Sequence, residues 1–188
     1  MALTSSLVPL GTPAPDFTLP GVHETKHPLT SFAAPVLVVA FVCNHCPYVQ
    51  HIERELGTFV PSEVLDIVAI GSNDSERYPD DDPAELAKQA MRADWRFPYL
   101  VDADQTVARS YGAVCTPDFF VYGPDRRLAY RGAFDSSTPG NDEPVTGALL
   151  RNAIDLVAAG NAVPEPHRPS MGCGIKWLPG NEPDGIPA

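Results

Sequence analysis

Two stretches of the chain are almost continuously apolar, and each is followed by a more polar segment. Residues 35–42 (PVLVVAFV) and 64–70 (VLDIVAI) are rich in β-branched residues, which is typical of strands buried on both faces of a sheet. After the first stretch, apolar side chains recur at helical spacing, namely Tyr48, Val49, Ile52, Leu56 and Phe59. The pattern predicts a buried strand that runs directly into a helix.

The same alternation continues along the chain. Asp82 and Pro83 have the residue types of an N-cap and a first helical position. The further predicted elements are, in chain order, a helix over 83–94, a strand over 97–102, a short helix ended by Gly112, a β-hairpin over 118–132 that turns at 123–125, and a helix over 144–159. Strands that alternate with helices indicate the α/β class, with a central mixed β-sheet flanked by helices.

The regular pattern stops near residue 160. Residues 1–160 are therefore predicted to form one domain with an N-terminal extension, and residues 161–188 a C-terminal tail. The tail contains six prolines and four glycines, so we expect it to lack regular structure. It also carries an apolar cluster (Met171, Cys173, Ile175 and Trp177) that disordered tails rarely contain. We expect the segment 170–177 (SMGCGIKW) to dock on the domain.

Charge and composition exclude several classes of function. The formal net charge is −11, which disfavours binding to nucleic acid or to an anionic membrane surface. The N-terminus has no basic, apolar signal segment, and no apolar run reaches the length of a membrane-spanning helix. We therefore expect a cytoplasmic protein with no membrane or nucleic-acid partner. The sequence does not indicate an oligomeric state.

The candidate chemistry lies at the junction between the first predicted strand and its helix. Cys43 and Cys46 stand there as a CxxC pair, which is typical of a redox couple in such a position. Helical N–H groups and the helix dipole lower the pKa of a thiol at this place, and the thiolate is the nucleophile of disulfide exchange. Cys43 is the predicted attacking cysteine and Cys46 the resolving one. His45 lies between them and is predicted to stabilise the thiolate.

These residues resemble a known family. CNHC after a buried strand, and VCTP (114–117) before a later strand, resemble the thioredoxin superfamily. APDFTLPG (14–21) is similar to the opening of its alkyl hydroperoxide reductase/thiol-specific antioxidant (AhpC/TSA) and TlpA-like redoxin branch, and the resemblance covers residues 12–160. It implies a thioredoxin-like fold and a thiol–disulfide oxidoreductase. It implies no cofactor, because the redox-active group is the Cys43–Cys46 disulfide of the chain itself.

The resemblance also implies how substrates are bound. Thr116–Pro117 corresponds to the cis-proline that pairs with a substrate. The implied partners are a disulfide-containing protein or small-thiol substrate and a cellular thiol reductant.

Two departures from the family bear on the chemistry, and the second disfavours efficient peroxide reduction, although a thiolate can still reduce peroxide slowly. Leu37 stands where thioredoxin has a buried acid, and Val36 and Ala40 stand where peroxiredoxins have Pro and Thr or Ser before the peroxidatic cysteine. A thiol-dependent peroxidase with Cys43 as the peroxidatic residue is the alternative function.

The remaining chemical residues allow more than one role. Cys115 and Cys173 are candidate additional redox thiols, although Cys115 is better explained as a small buried residue and Cys173 equally well as an anchor of the tail. In a less favoured reading the cysteines bind zinc in a non-enzymatic module, but no second CxxC is present, and we assign no metal site. Asp80, Asp81 and Asp82 are predicted to be a solvated loop and a helix cap.

Overall fold

The computed structural model describes residues 2–5 and 8–183, so residues 1, 6–7 and 184–188 of the predicted domain and tail lie outside it. The strands are β1 (Ala2–Thr4), β2 (Thr18–Pro20), β3 (Lys26–Pro28), β4 (Val36–Phe41), β5 (Leu65–Gly71), β6 (Tyr99–Val101), β7 (Cys115–Thr116), β8 (Asp118–Tyr122), β9 (Leu128–Gly132) and β10 (Met171–Gly174). The helices are α1 (Pro47–Leu56), α2 (Pro83–Arg92), α3 (Thr106–Tyr111) and α4 (Ala148–Ala158).

The central sheet has five strands in the order β6-β5-β4-β8-β9. β4, β5 and β6 are parallel, whereas β8 runs antiparallel to β4 and to β9. Every residue of β4 is buried, as its apolar run predicts. The predicted mixed sheet and the hairpin at its edge are both confirmed.

A hydrophobic core lies on each face of this sheet. The first core contains Val49, Ile52 and Leu56 of α1 together with apolar residues of α2 and α4. The second contains α3 residues, and Ile175 and Trp177 of the tail close it. In the described part of the chain, no helix is both long enough and apolar enough to cross a membrane.

The last helix starts later than its apolar pattern predicts. The prediction was 144–159, but α4 begins at Ala148 because Gly147 adopts a left-handed conformation (φ 64°). The carboxylate of Asp135 accepts hydrogen bonds from the backbone amides of Thr146 and Gly147 at 2.7 and 2.8 Å. These amides are therefore bound by a residue of the preceding loop rather than by a helical turn.

The tail is docked on the domain, but the expectation that it lacks regular structure is wrong. Met171–Gly174 forms β10, which pairs antiparallel with β7 on one side and with β1 on the other. Gly172 makes this approach sterically feasible, because a Cβ atom there would lie 1.9 Å from the carbonyl oxygen of Thr116. Neither β1 nor β10 has enough apolar alternation to be visible in the sequence.

Substitution Gly172→Ala should therefore weaken the docking of the tail. The added methyl group would meet backbone atoms of β7, which have to move, so we expect a loss of about 1–3 kcal/mol in the free energy of unfolding. Urea unfolding measures the loss, and hydrogen exchange of residues 171–174 locates it. Gly140→Ala is the matched control, because a Cβ there meets nothing within 4 Å. Equal stability and exchange of the two variants would contradict the close packing of β10 on β7.

Candidate functional site

Cys43 and Cys46 lie just beyond the carboxyl end of β4. Cys46 is the N-cap of α1, and Pro47 occupies the first helical position. Cys46 therefore lies just outside the first helical turn. Proline has no N–H to offer inside a helix and is favoured at its first position, which fixes the helix start one residue after Cys46. The positive end of the helix dipole therefore acts first on Cys46 rather than on Cys43.

Both sulfur atoms contact the same residue, Thr116 of β7. The Cys43 Sγ lies 3.1 Å from the Thr116 hydroxyl oxygen, and the Cys46 thiol donates to the Thr116 carbonyl oxygen at 3.1 Å. The peptide bond from Thr116 to Pro117 is cis. The structure thus brings together four of the residues that the sequence singles out, although they are about seventy positions apart along the chain.

The two thiols differ strongly in acidity. Cys43 donates a hydrogen bond to Cys46, which, with smaller contributions from Cys173, lowers the pKa of Cys46 to about 5. Burial, together with that same bond, raises the pKa of Cys43 well above its usual value. Ionisation of Cys46 would give up its bond to the Thr116 carbonyl oxygen. The directions of the two pKa shifts favour the ionised form of Cys46 over that of Cys43.

His45 is held by an aspartate that sequence analysis placed in a solvated loop. Its Nδ1 atom lies 2.5 Å from Oδ2 of Asp81, and its ring stacks on Tyr78 with centroids 5.4 Å apart. Asp81 is 5% exposed, so the expectation of a solvated residue is wrong for this member of the acidic run. Asp82 does serve as the predicted N-cap, accepting from the amide of Glu85.

Asp81 also shapes the backbone between the two cysteines. Its Oδ1 accepts from the amides of Asn44 and His45 at 2.7 and 3.2 Å, and its Oδ2 accepts from the Asn73 side chain at 2.7 Å. Four donors thus compensate the burial of one carboxylate, as buried charges require. The signal in the sequence is weak, because nothing local distinguishes Asp81 from its two acidic neighbours.

The ion pair shifts both pKa values towards the charged forms. The hydrogen bond to Asp81 raises the pKa of His45 above its usual value, against a smaller opposite effect of burial. Burial raises the pKa of Asp81, but the bonds from His45 and Asn73 outweigh it and leave that pKa lowered. The charge of an ionised Cys46 also raises the pKa of His45, so these two residues favour each other's charged forms, whereas the Asp81 carboxylate raises the pKa of Cys43.

A second network fixes Asn44 beside the helix start. Its side-chain oxygen accepts from Arg92 at 2.7 Å, and its carbonyl oxygen accepts from Gln50 at 2.9 Å. The side chain of Gln89 donates to the carbonyl oxygen of Cys43 at 3.2 Å, and Arg92 pairs with Glu53. The loop that carries both thiols is therefore anchored to α1 and to α2.

The other two cysteines lie close to this site but differ from each other. Cys115 is fully buried on β7, and its thiol makes only a long contact of 3.9 Å with the Pro117 carbonyl oxygen. Cys173 lies on β10 opposite Thr116, is partly exposed, and hydrogen-bonds with Cys46. Burial raises the pKa of Cys173 to about 11.

Two further features bear on the chemistry. Cys43, His45 and Asp81 offer a sulfur, a nitrogen and an oxygen within 4.8 Å of one another, a set that could hold a metal ion. This donor set differs from the four cysteines considered in the sequence.

Asp118, which follows Pro117, is a buried acid that sequence analysis missed, and burial raises its pKa to about 8.

Comparison with known proteins identifies what this arrangement is similar to. The AhpC/TSA family model matches residues 10–131. The structure of a hypothetical protein from Sinorhizobium meliloti 1021 is 44% identical, with a TM-score of 0.91, and the match covers 94% of this chain and 99% of that one. An uncharacterized conserved protein from Geobacillus kaustophilus is 42% identical, with a TM-score of 0.91, over 95% of this chain and 97% of its own.

More distant structures share the fold. A putative thiol:disulfide interchange protein DsbE from Chlorobium tepidum is 18% identical, with a TM-score of 0.61, over 81% of this chain and 99% of its own. This likeness and the observed sheet confirm the predicted thioredoxin-like fold. The comparison with curated proteins finds no match.

Substitution Asp81→Asn should lower the pKa of His45, because the main interaction that raises it is removed. Because the pKa of His45 is higher in the folded than in the unfolded protein, protonation of His45 stabilises the fold below about pH 6.5. This stabilisation is lost as the pH rises through the pKa that His45 has in the folded protein. The pKa of Asp81 is lower in the folded than in the unfolded protein, so its ionisation stabilises the fold at pH values above the unfolded-state pKa. This stabilisation is lost as the pH falls through the pKa that Asp81 has in the folded protein. We therefore expect Asp81→Asn to lose about 1–3 kcal/mol in the free energy of unfolding, with the largest loss at pH values between the pKa of Asp81 and the pKa of His45.

An NMR titration of the His45 ring and urea unfolding at several pH values measure these effects. Asp80→Asn is the matched control, because Asp80 is an exposed carboxylate next in the chain. An unchanged His45 pKa in Asp81→Asn would show that the ion pair does not form in solution.

Proposed function

Because the chain belongs to the AhpC/TSA family, we propose that it is a thiol–disulfide oxidoreductase whose redox pair is Cys43 and Cys46. The observation that carries this proposal is the contact of both sulfur atoms with Thr116, one residue before the cis Pro117. The lowered pKa of Cys46 supports it, since a thiolate is needed for exchange at neutral pH.

The proposed reaction begins at the ionised sulfur. The Cys46 thiolate attacks one sulfur of a substrate disulfide, so that a Cys46–substrate bond forms and a substrate thiolate leaves and takes up a proton. Cys43 then loses its proton and attacks the Cys46 sulfur, which releases the second substrate thiol. The enzyme ends with a Cys43–Cys46 disulfide, and the substrate has gained two electrons and two protons.

This order reverses the roles that the sequence suggests. Cys43 as the attacking residue stays a prediction, but the directions of the two pKa values support Cys46. His45 has the same role in either order. Held in its charged form by Asp81, it lowers the energy of a thiolate beside it.

The substrate class follows from the same chemistry. A disulfide-containing protein or a small disulfide supplies the oxidised partner, and a cellular thiol reductant restores the dithiol. A cleft beside Pro117, lined by Tyr48, His51, Phe134 and Met171 among others, gives a substrate access to the cis-proline segment. We propose that this exchange takes place in the cytoplasm, where thiol reductants are abundant.

Single cysteine variants test both the function and the order of attack. With dithiothreitol as the reductant, we expect Cys46→Ser to abolish catalytic reduction of oxidised glutathione and Cys43→Ser to lower it strongly. In a chain that also carries Cys173→Ala, Cys43→Ser should accumulate a mixed disulfide between Cys46 and glutathione, because no resolving thiol is left beside Cys46. Intact-mass measurement detects this adduct.

Cys115→Ala is the control and should retain full activity, because its thiol is buried and contacts the Pro117 carbonyl oxygen rather than the exchanging pair. A mixed disulfide that accumulates only in Cys46→Ser would restore Cys43 as the attacking residue. Full activity in both serine variants would refute the proposed function.

A peroxidase is the second candidate, favoured by the family match and by the low pKa of Cys46. A Cys46 thiolate would reduce a peroxide to water or alcohol and become a sulfenic acid, which Cys43 would resolve with loss of water. The structure places the Thr116 hydroxyl beside Cys43 rather than beside the ionised sulfur, which disfavours activation of a peroxide there.

We therefore expect hydrogen peroxide to oxidise the reduced protein no faster than it oxidises an ordinary thiol of similar pKa. Stopped-flow measurement of tryptophan fluorescence against peroxide concentration gives the rate, with exchange against oxidised glutathione as the reference reaction. Fast oxidation by peroxide that disappears in Cys46→Ser would make peroxidase the leading function.

A further inference from the structure

The redox pair is almost completely shielded from solvent. Cys43 is 1% exposed and Cys46 is 0% exposed. Of the four cysteines, Cys173 is the one that is not buried. An external thiol that reduces the oxidised protein would therefore meet Cys173 before it meets either sulfur of the pair.

Strand pairing places Cys173 next to Cys46. In the register between β10 and β7, Cys173 lies opposite Thr116, whose carbonyl oxygen is 3.1 Å from the Cys46 sulfur. Cys173 also packs against the core cluster that contains Cys43 and Cys46. The three cysteines are thus grouped around Thr116, and hydrogen bonds from both of the others lower the pKa of Cys46.

Several independent contacts hold Cys173 in this position. The Ser170 hydroxyl donates to the Gly132 carbonyl oxygen at 2.6 Å, and the backbone of Lys176 exchanges hydrogen bonds with Asn73 and Asp74 at 2.8 Å each. The side chain of Lys176 lies over the Tyr78 ring, which itself stacks on His45. The segment that carries Cys173 is therefore fixed on both sides to the loops that form the site.

We propose that Cys173 is a third redox-active cysteine, which exchanges with the oxidised pair to form a Cys46–Cys173 disulfide and so presents the disulfide to external thiols. This inference rests on the proposed function, which supplies the Cys43–Cys46 disulfide.

In the exchange step, the Cys173 sulfur attacks the Cys46 sulfur. The Cys43–Cys46 bond breaks, and the proton of Cys173 passes to the departing Cys43 sulfur. One disulfide and one thiol are present before and after, so no further oxidant is needed.

The second step uses the different acidity of the sulfurs. A thiolate of a small thiol attacks the partly exposed Cys173 sulfur, and Cys46 leaves as a thiolate. Since a thiol of low pKa leaves faster, the most acidic cysteine of the site occupies the position of the leaving group. A second small thiol then attacks the mixed disulfide on Cys173 and forms an external disulfide. Two electrons and two protons have then passed from the small thiols to the protein.

Disulfide mapping tests the exchange step. Purified full-length protein and Cys43→Ser are oxidised with oxidised glutathione, blocked with N-ethylmaleimide in acid, digested and analysed by mass spectrometry without reduction. We expect Cys43→Ser to yield a Cys46–Cys173 crosslink as a main product. Absence of that crosslink in Cys43→Ser and in the unmodified chain would overturn the proposal. This arm leaves β10 unchanged, so it does not depend on how a variant at Cys173 folds.

A kinetic arm tests the reduction step. We expect oxidised Cys173→Ala to be reduced by glutathione about tenfold or more slowly than the unmodified protein, because the accessible sulfur is missing. Oxidised Cys115→Ala, the matched control, should react at the unmodified rate. Equal rates for Cys173→Ala and the unmodified protein would overturn the proposal.

The two arms also separate the inference from the function on which it rests. If the Cys43–Cys46 disulfide forms but Cys173 changes nothing, the inference fails and the oxidoreductase remains. If the unmodified protein forms no Cys43–Cys46 disulfide, the proposed function itself fails.

Discussion

The site depends on the backbone of Thr116. Its carbonyl oxygen faces the Cys46 sulfur, its hydroxyl faces the Cys43 sulfur, and its main chain pairs with Cys173 on β10. β7 has only two residues, so there is little freedom to satisfy these partners in another register. A displacement of Thr116 would change the environment of three thiols at once. The position of this short strand therefore determines how the three cysteines are arranged relative to one another.

A buried carboxylate sets the second constraint. Asp81 binds two backbone amides of the loop between the cysteines, and it binds the ring of His45 in the same arrangement. The interaction that fixes the shape of the loop is therefore also the one that keeps a positive charge beside the thiols. In a protein with a net charge of −11, such a local cation has to be held in place by specific contacts, since the overall charge disfavours a thiolate.

Features encoded locally could be predicted from the sequence, whereas those made by distant segments could not. The buried β4, the helix after it and the CxxC pair between them follow from apolar periodicity and cysteine spacing. The position of β10 could not be predicted. It depends on the close approach of Gly172, in the proline-rich tail, to the backbone oxygen of Thr116, which is distant in the sequence. The role of Asp81 was hidden for a similar reason, as its partners Asn44 and His45 belong to the loop after β4.

Burial of the redox pair limits how a substrate can react with it. For direct attack by Cys46 on a large disulfide substrate, β10 would have to leave β7, and the hydrogen-bonding groups of β7 would lose their partners. An extended substrate segment that took the place of β10 could restore those bonds, since an unpaired strand edge binds an extended peptide. Exchange through Cys173 requires no such opening, because β10 itself carries the sulfur that small thiols can reach. In the proposed scheme the two routes differ in the substrates that they admit, because exchange through Cys173 suits small thiols and an opened form suits a polypeptide.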